Sequence, residues 1–157
     1  MYNVLFLSQR NSARSIMAEA ILNQVGRSEF TAYSAGVRPA GTVDPLAIEL
    51  LEHAKIATNG LRVKSVEEFL RPGAPRMDFI FTLSDTAAGE VPPTWPGEPI
   101  TAHWGSEDPT KVADPAERRH ALIRVRAELE RRLRVFINLP LASLDRLSAQ
   151  RQVSDIS

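Results

Sequence analysis

The 157-residue chain contains no cysteine. That excludes disulfides, thiolate metal sites and any reaction that begins with a thiolate. Long apolar runs are missing too. The opening run, Val4 to Leu7, is far short of the roughly 20 residues of a membrane span and too short for a secretory leader, so the chain reads as cytoplasmic. Neither sign of charge dominates: 19 basic residues face 19 acidic ones, and the totals point to neither nucleic acid nor an anionic membrane as partner. Lysine is scarce. Only Lys55, Lys64 and Lys111 occur, and the other basic residues are arginine. Arginine suits oxyanion or carboxylate recognition, although an Arg-rich genome gives the same bias.

What is present fits one soluble domain with one core, at 43% hydrophobic and 24% charged residues. Tyr2–Leu7 reads as a short buried strand, nearly all apolar, as in a parallel sheet covered on both faces. Small polar residues follow, then a helix from about Ser15 to Val25, with Gly26 as its stop. Phe30–Ala35 reads as a second strand ending at Gly36. Asp44-Pro45 opens a helix, Asp as cap and Pro at its first position. Ser65-Val66-Glu67-Glu68 fits a capping box for a short helix before Pro72. Met77–Leu83 reads as a strand, Val91–Pro99 as a loop, and Ile100–Trp104 as a final short strand. Asp114-Pro115 opens a long helix to about Asn138, with Leu122, Val125, Leu129, Leu133 and Phe136 on one face. A last helix is expected over about Leu141–Gln150. Alternating strand and helix predicts an α/β fold, a three-layer α/β/α sandwich around a parallel sheet of roughly four strands.

The polar octet after the first strand, Ser8-Gln9-Arg10-Asn11-Ser12-Ala13-Arg14-Ser15, holds the chemistry. A loop joining a strand to a helix at the carboxyl edge of a parallel sheet is a ligand position. Its amides and the helix N-terminus suit an anion, and Arg14 adds a planar fork matched to oxyanion oxygens. Ser12 and Ser15 offer hydroxyls, and Asn11 can brace the loop. A plain helix cap explains the same residues equally well. The loop has no glycine, so neither the nucleotide P-loop nor the dinucleotide fingerprint applies; no cofactor and no metal is expected.

Further segments carry a resemblance. VLFLSQRNSARSIMAEAIL resembles the start of low-molecular-weight tyrosine phosphatases and of the thioredoxin-coupled arsenate reductases that share their fold. Their signature is Cys, five residues, Arg, then Ser or Thr; here it stands as Ser8, five residues, Arg14, Ser15. Tyr33-Ser34-Ala35-Gly36 matches an SAG motif, MDFIFTLSDTAAGEVPPTWPG resembles the segment holding the reductases' additional cysteines, and His103-Trp104-Gly105 with Asp108-Pro109 matches HWG and DP elements. The resemblance implies a phosphotyrosine phosphatase I-type domain over 1–138, with 139–157 a C-terminal helical extension. It implies Ser8 at the nucleophile position, Arg14 as oxyanion clamp, Asp108 as general acid, Ser15 as the residue that steadies a thiolate, and Asn11 and Ser34 as shapers of the loop. Asp108 also fits a simple turn cap before proline.

The departures matter as much. A serine hydroxyl stays protonated at neutral pH and needs a neighbouring base, and no histidine lies in or beside the loop. His103 is the one histidine expected near the site, with a structural role competing against a catalytic one; His53 and His120 are expected on solvated helix faces. The later cysteine positions hold Ser84 and Pro92, so a disulfide relay is chemically excluded. Laboratory exchange and natural loss both account for missing cysteines; proline at the third position favours natural loss. Gln9 and Arg10 depart from the small residues the family places after its nucleophile. Arg10 adds a positive charge that either favours an anion or points into solvent. The leading expectation is a pseudoenzyme that holds phosphate, sulfate, arsenate or a phosphorylated ligand through residues Ser8 to Ser15, with Ser34 and His103 supporting. Two alternatives are a working phosphomonoesterase using Asp108, and an interaction protein. In the last, Leu139, Leu141, Leu144 and Leu147 would face a partner or a second copy in a homodimer; packing into the core is their competing use.

Overall fold

A computed structural model describes residues 1–39, 41–90 and 95–156. Four parallel strands form one sheet: β1 (Tyr2–Ser8), β2 (Phe30–Gly36), β3 (Phe79–Thr82) and β4 (Ile100–His103), in the spatial order β2-β1-β3-β4. Val4 pairs with Ala32 on one side and Phe79 on the other, and Phe79 pairs with Ile100. The chain leaves β1 toward β2, then crosses back to place β3 on β1's other flank. Such a reversal opens a crevice at the carboxyl ends of β1 and β3.

Strand alternation feeds two apolar layers. Val4, Phe6, Phe79 and Phe81 face helices α1 (Arg14–Val25), α2 (Pro45–His53), α4 (Pro115–Ile137) and α5 (Arg146–Asp155). Leu5, Leu7 and Ile80 face the other side, where Phe69, Ala87 and Trp95 cover them from the 3₁₀ turn Val66–Phe69, the short helix α3 (Asp85–Glu90) and the following segment. The result is the three-layer α/β/α arrangement expected from the sequence. α1 is buried almost all round, Arg14 to Ala18 and Ala20 to Leu22, because it lies between the sheet and α4. Phe136 of α4 is the hub of the larger core: its ring lies 5.0 Å from Phe30, 5.1 Å from Phe79 and 5.2 Å from Phe81.

Aspartate caps do what their sequence positions promise. Asp44 accepts from Leu46 N–H and Asp114 from Glu117 N–H, each with proline at the start of its helix. Three expectations shift. β3 begins at Phe79 rather than Met77, since Met77 and Asp78 lead into it, Asp78 N–H already donating to Asn3. α3 was not foreseen; its segment lacks an apolar period, and its first turn is held by Ser84, whose hydroxyl accepts from Ala87 N–H. The last helix starts at Arg146, capped by Asp145, and a 3₁₀ turn (Leu141–Ser143) precedes it. Leu139, Leu141 and Leu144 pack partly buried against the core, and Leu147 is exposed. Val153 and Ile156 are buried, and the fully buried Trp104 donates to Val153 O at 2.9 Å. His53 and His120 are exposed, as expected. No helix among the described residues is long and apolar enough to cross a membrane.

The aromatic hub predicts a stability cost. Phe136→Ala empties a site touched by four rings and should destabilise the fold by about 3–5 kcal/mol, whereas Phe136→Leu should cost distinctly less. Urea denaturation of the two variants measures this; equal costs would show that the cavity, and not the rings, is irrelevant to the hub.

Candidate oxyanion site

The loop leaves β1 at Ser8 and is gripped from three sides. Val37 N–H and Arg38 N–H donate to Ser8 O and Gln9 O, and Asp44 N–H donates to Ser12 O at 2.8 Å. Gly36 lies against its inner wall, where a Cβ would stand 2.9 Å from the Arg10 carbonyl carbon. Side chains are excluded there by the loop itself, which is why the SAG triplet ends in glycine.

Asn11 organises the interior. It is fully buried and adopts φ 55°, a left-handed conformation asparagine tolerates better than most residues. Its Nδ2 donates to Ser15 Oγ at 2.8 Å and to Ser34 Oγ at 2.9 Å, and its Oδ1 accepts from Lys64 N–H at 2.8 Å. Its backbone N–H donates to Ser8 Oγ at 3.1 Å, and Ser8 Oγ lies 2.7 Å from Ser15 Oγ. Ser15 Oγ accepts from Asn11 Nδ2, and either hydroxyl can donate the proton shared between Ser8 and Ser15. Ser8 Oγ meets no carboxylate or imidazole in these contacts, so they supply no base that would take its proton.

The helix behind the loop is built differently from the others. Its cap position is Ala13, which makes no side-chain capping bond. The amides of Ser12, Ala13 and Ser15 donate to no acceptor among the described residues. Unpaired N–H groups and the positive end of the helix dipole at such a terminus suit an anion.

Arg14 is 6% exposed and reaches across the crevice. Its Nη1 donates to Leu83 O at 3.2 Å and Ser106 O at 3.1 Å, just beyond β3 and β4, and its Nη2 lies 3.5 Å from Asp108 Oδ2. Asp108 caps the 3₁₀ turn Pro109–Lys111, accepting from Thr110 N–H at 3.0 Å and Thr110 Oγ1 at 2.6 Å. Asp108 is thus the turn cap, one of its two sequence readings, and it also lies against Arg14. Burial pushes its carboxyl up, but the Thr110 bonds and the Arg14 guanidinium together outweigh that and hold it below the usual carboxylate value.

Of the other expected residues, Gln9 is half-buried, Arg10 exposed and Ser12 buried at the loop's edge. His103 is exposed at the end of β4, with Nδ1 2.8 Å from Thr82 Oγ1. Gly105 gives its ring room, since a Cβ there would stand 3.0 Å from Nε2. Pro92 lies outside the described residues. Two residues escaped sequence reasoning, Glu19 and Lys64. Ser34 Oγ donates to Glu19 Oε1 at 2.6 Å, and Lys64 Nζ lies 3.4 Å from that same oxygen. Burial pulls the Lys64 ammonium below its ordinary value, against the attraction of Glu19.

A polar loop at the switch point of a four-stranded parallel sheet defines a class of α/β protein. The model of that class, described as low molecular weight phosphotyrosine protein phosphatase, matches residues 3–152. The chain belongs to this family. Among its relatives, the arsenate reductase of Halalkalibacterium halodurans is 32% identical over 134 residues, covering 85% of this chain and 93% of that protein. The arsenate reductase of Bacillus subtilis is 31% identical over the same shares. Among solved structures, an arsenate reductase in its oxidized state aligns with a TM-score of 0.72 at 28% identity, covering 87% of this chain and 97% of the other. An arsenate reductase in the phosphate binding state gives 0.67 at 27% identity, with the same coverage.

The Asp108 contacts predict an acid-dependent stability term. A carboxyl held below its unfolded value of about 3.9 stabilises the fold fully above that value, and the contribution is lost as pH falls through the lower folded value. Urea midpoints at about pH 7 and about pH 3 should therefore fall further in the wild type than in Asp108→Asn. Equal losses would show that the Arg14 and Thr110 contacts do not lower the Asp108 pKa.

Proposed function

We propose that this protein binds phosphate, arsenate or a phosphorylated ligand in the loop from Ser8 to Ser15 and turns it over little or not at all. One observation carries the reading: Ser8 Oγ accepts from Asn11 N–H and shares a proton with Ser15 Oγ, and neither partner is a base. A bound oxyanion would take the uncapped amides at the start of α1 and the Ser8 hydroxyl proton. It would also draw Arg14 Nη2 away from Asp108, replacing one carboxylate by another anion. A serine so placed donates to the ligand and does not attack it.

The phosphomonoesterase alternative needs Asp108 to deliver a proton. Its carboxyl is held low by Thr110 and Arg14, so it is ionised at neutral pH in the unliganded site, and Ser8 lacks activation at the same moment. The relatives include a protein named glutaredoxin arsenate reductase. That name implies thiol chemistry, and a chain without cysteine offers such a partner no sulfur.

Thermal unfolding with added phosphate, arsenate or sulfate tests binding. Free ligand at a hundred times its Kd should stabilise the fold by about 2.7 kcal/mol, and the shift should disappear in Arg14→Gln. No shift at millimolar anion sinks the proposal. In parallel, Ser8→Cys should hydrolyse an aryl phosphate while the wild type does not. Wild-type turnover abolished by Asp108→Asn would replace this reading with the enzyme.

A further inference from the structure

Behind the loop lies a second layer of polar groups that touches no ligand position. Lys64 follows Leu61-Arg62-Val63 and precedes the short turn at Val66–Phe69. Its backbone already holds the site twice: its N–H donates to Asn11 Oδ1 and its carbonyl accepts from Gly36 N–H, both at 2.8 Å. Its side chain, 6% exposed, then folds back into the protein. Nζ donates to Arg62 O at 2.8 Å, and lies 3.4 Å from Glu19 Oε1 and 3.5 Å from Ser34 Oγ.

Ser34 is the junction. Its hydroxyl proton goes to Glu19, so its oxygen is left to accept, and it accepts from Asn11 Nδ2. Glu19, on α1, is only 14% exposed at its side chain. A carboxylate in such a place needs a partner charge, and removing one member of a buried pair leaves the other uncompensated. Without the ammonium, Glu19 would lose its partner charge and draw in water. The Ser34 hydroxyl could then turn, and one of the two acceptors that hold Asn11 Nδ2 would be weakened.

We propose that Lys64 is the positioning residue of the oxyanion loop, an internal cation whose charge fixes Glu19 and Ser34 and, through Ser34, locks the Asn11 side chain that holds Ser8 and Ser15. Lys64 touches neither the ligand position nor Ser8, and it acts only through this chain of contacts. A packing role would predict that loss of the side chain loosens the neighbouring strands as much as the loop. A positioning role predicts that the loop alone responds, and that restoring a cation restores it.

The test is amide hydrogen exchange on the full chain without anion, paired with sulfate titration. In Lys64→Ala, which keeps both backbone contacts, exchange across Gln9–Ser15 should rise about tenfold, with Phe79–Thr82 and α4 unchanged. Sulfate affinity should fall by about tenfold, equivalent to about 1.4 kcal/mol. n-Propylammonium, which replaces the atoms deleted by the substitution, should restore both, and an uncharged n-propanol control should restore neither. Lys64→Met, which keeps the stem and removes the charge, should loosen the same loop; it decides the matter if Lys64→Ala fails to fold. Unchanged loop exchange in either variant, an equal rise in Phe79–Thr82, or no recovery with propylammonium overturns the proposal. The affinity arm rests on the loop being an anion site. If the wild type binds no sulfate, that reading fails, and the exchange arm still judges Lys64.

Discussion

A buried carboxamide sets the shape of this site. Asn11 has no solvent to turn to, so each of its donors and its acceptor must find protein or cost about 1–3 kcal/mol apiece. Satisfying them ties together four pieces of chain that are remote in sequence: the loop at Ser8, the start of α1 at Ser15, β2 at Ser34, and the segment at Lys64. The left-handed turn at Asn11 is the backbone counterpart of the same constraint. Gly36 must lack a side chain because the loop so fixed runs against it.

Once the loop is fixed, exchange of sulfur for oxygen at position 8 divides fold from chemistry. Ser8 Oγ accepts from Asn11 N–H and shares a proton with Ser15 Oγ, contacts that a neutral hydroxyl satisfies without strain. The same donors would stabilise a thiolate, because charge-assisted bonds are roughly twice as strong as neutral ones. A hydroxyl gains little from them, since its proton remains. The hydrogen-bonded framework of the loop therefore does not depend on sulfur at position 8. Ser84 shows the same division: its hydroxyl serves as the cap of α3, a task that needs an oxygen and no redox chemistry.

Sequence reading reached what is encoded locally. The apolar run of β1, the Asp-Pro starts of α2 and α4, and the 3.6-residue period of α4 are short-range signals, and each lies where it was expected. α3 was hidden because six small and polar residues carry no period. The last helix was placed too early because the leucines after Pro140 gave an apolar cue, whereas Asp145 sets the start. The loop itself was legible as an octet, but its supports were not. Arg14 meets Leu83 and Ser106 across 69 and 92 positions, and Lys64 meets Glu19 across 45. One lysine among polar residues has no local mark of burial; only the fold brings it under the loop.

The site carries its charges in two balanced tiers. In front, Arg14 is met by Asp108; behind, Lys64 is met by Glu19. The two tiers have separate partners. On the proposed reading an oxyanion would meet the front tier, where it would compete with Asp108 for Arg14. The rear pair makes its contacts through Ser34 and the Arg62 carbonyl, and neither of its charges touches Arg14 or Asp108 in these contacts. The loop's support and the loop's counter-charge are thus carried by different residues.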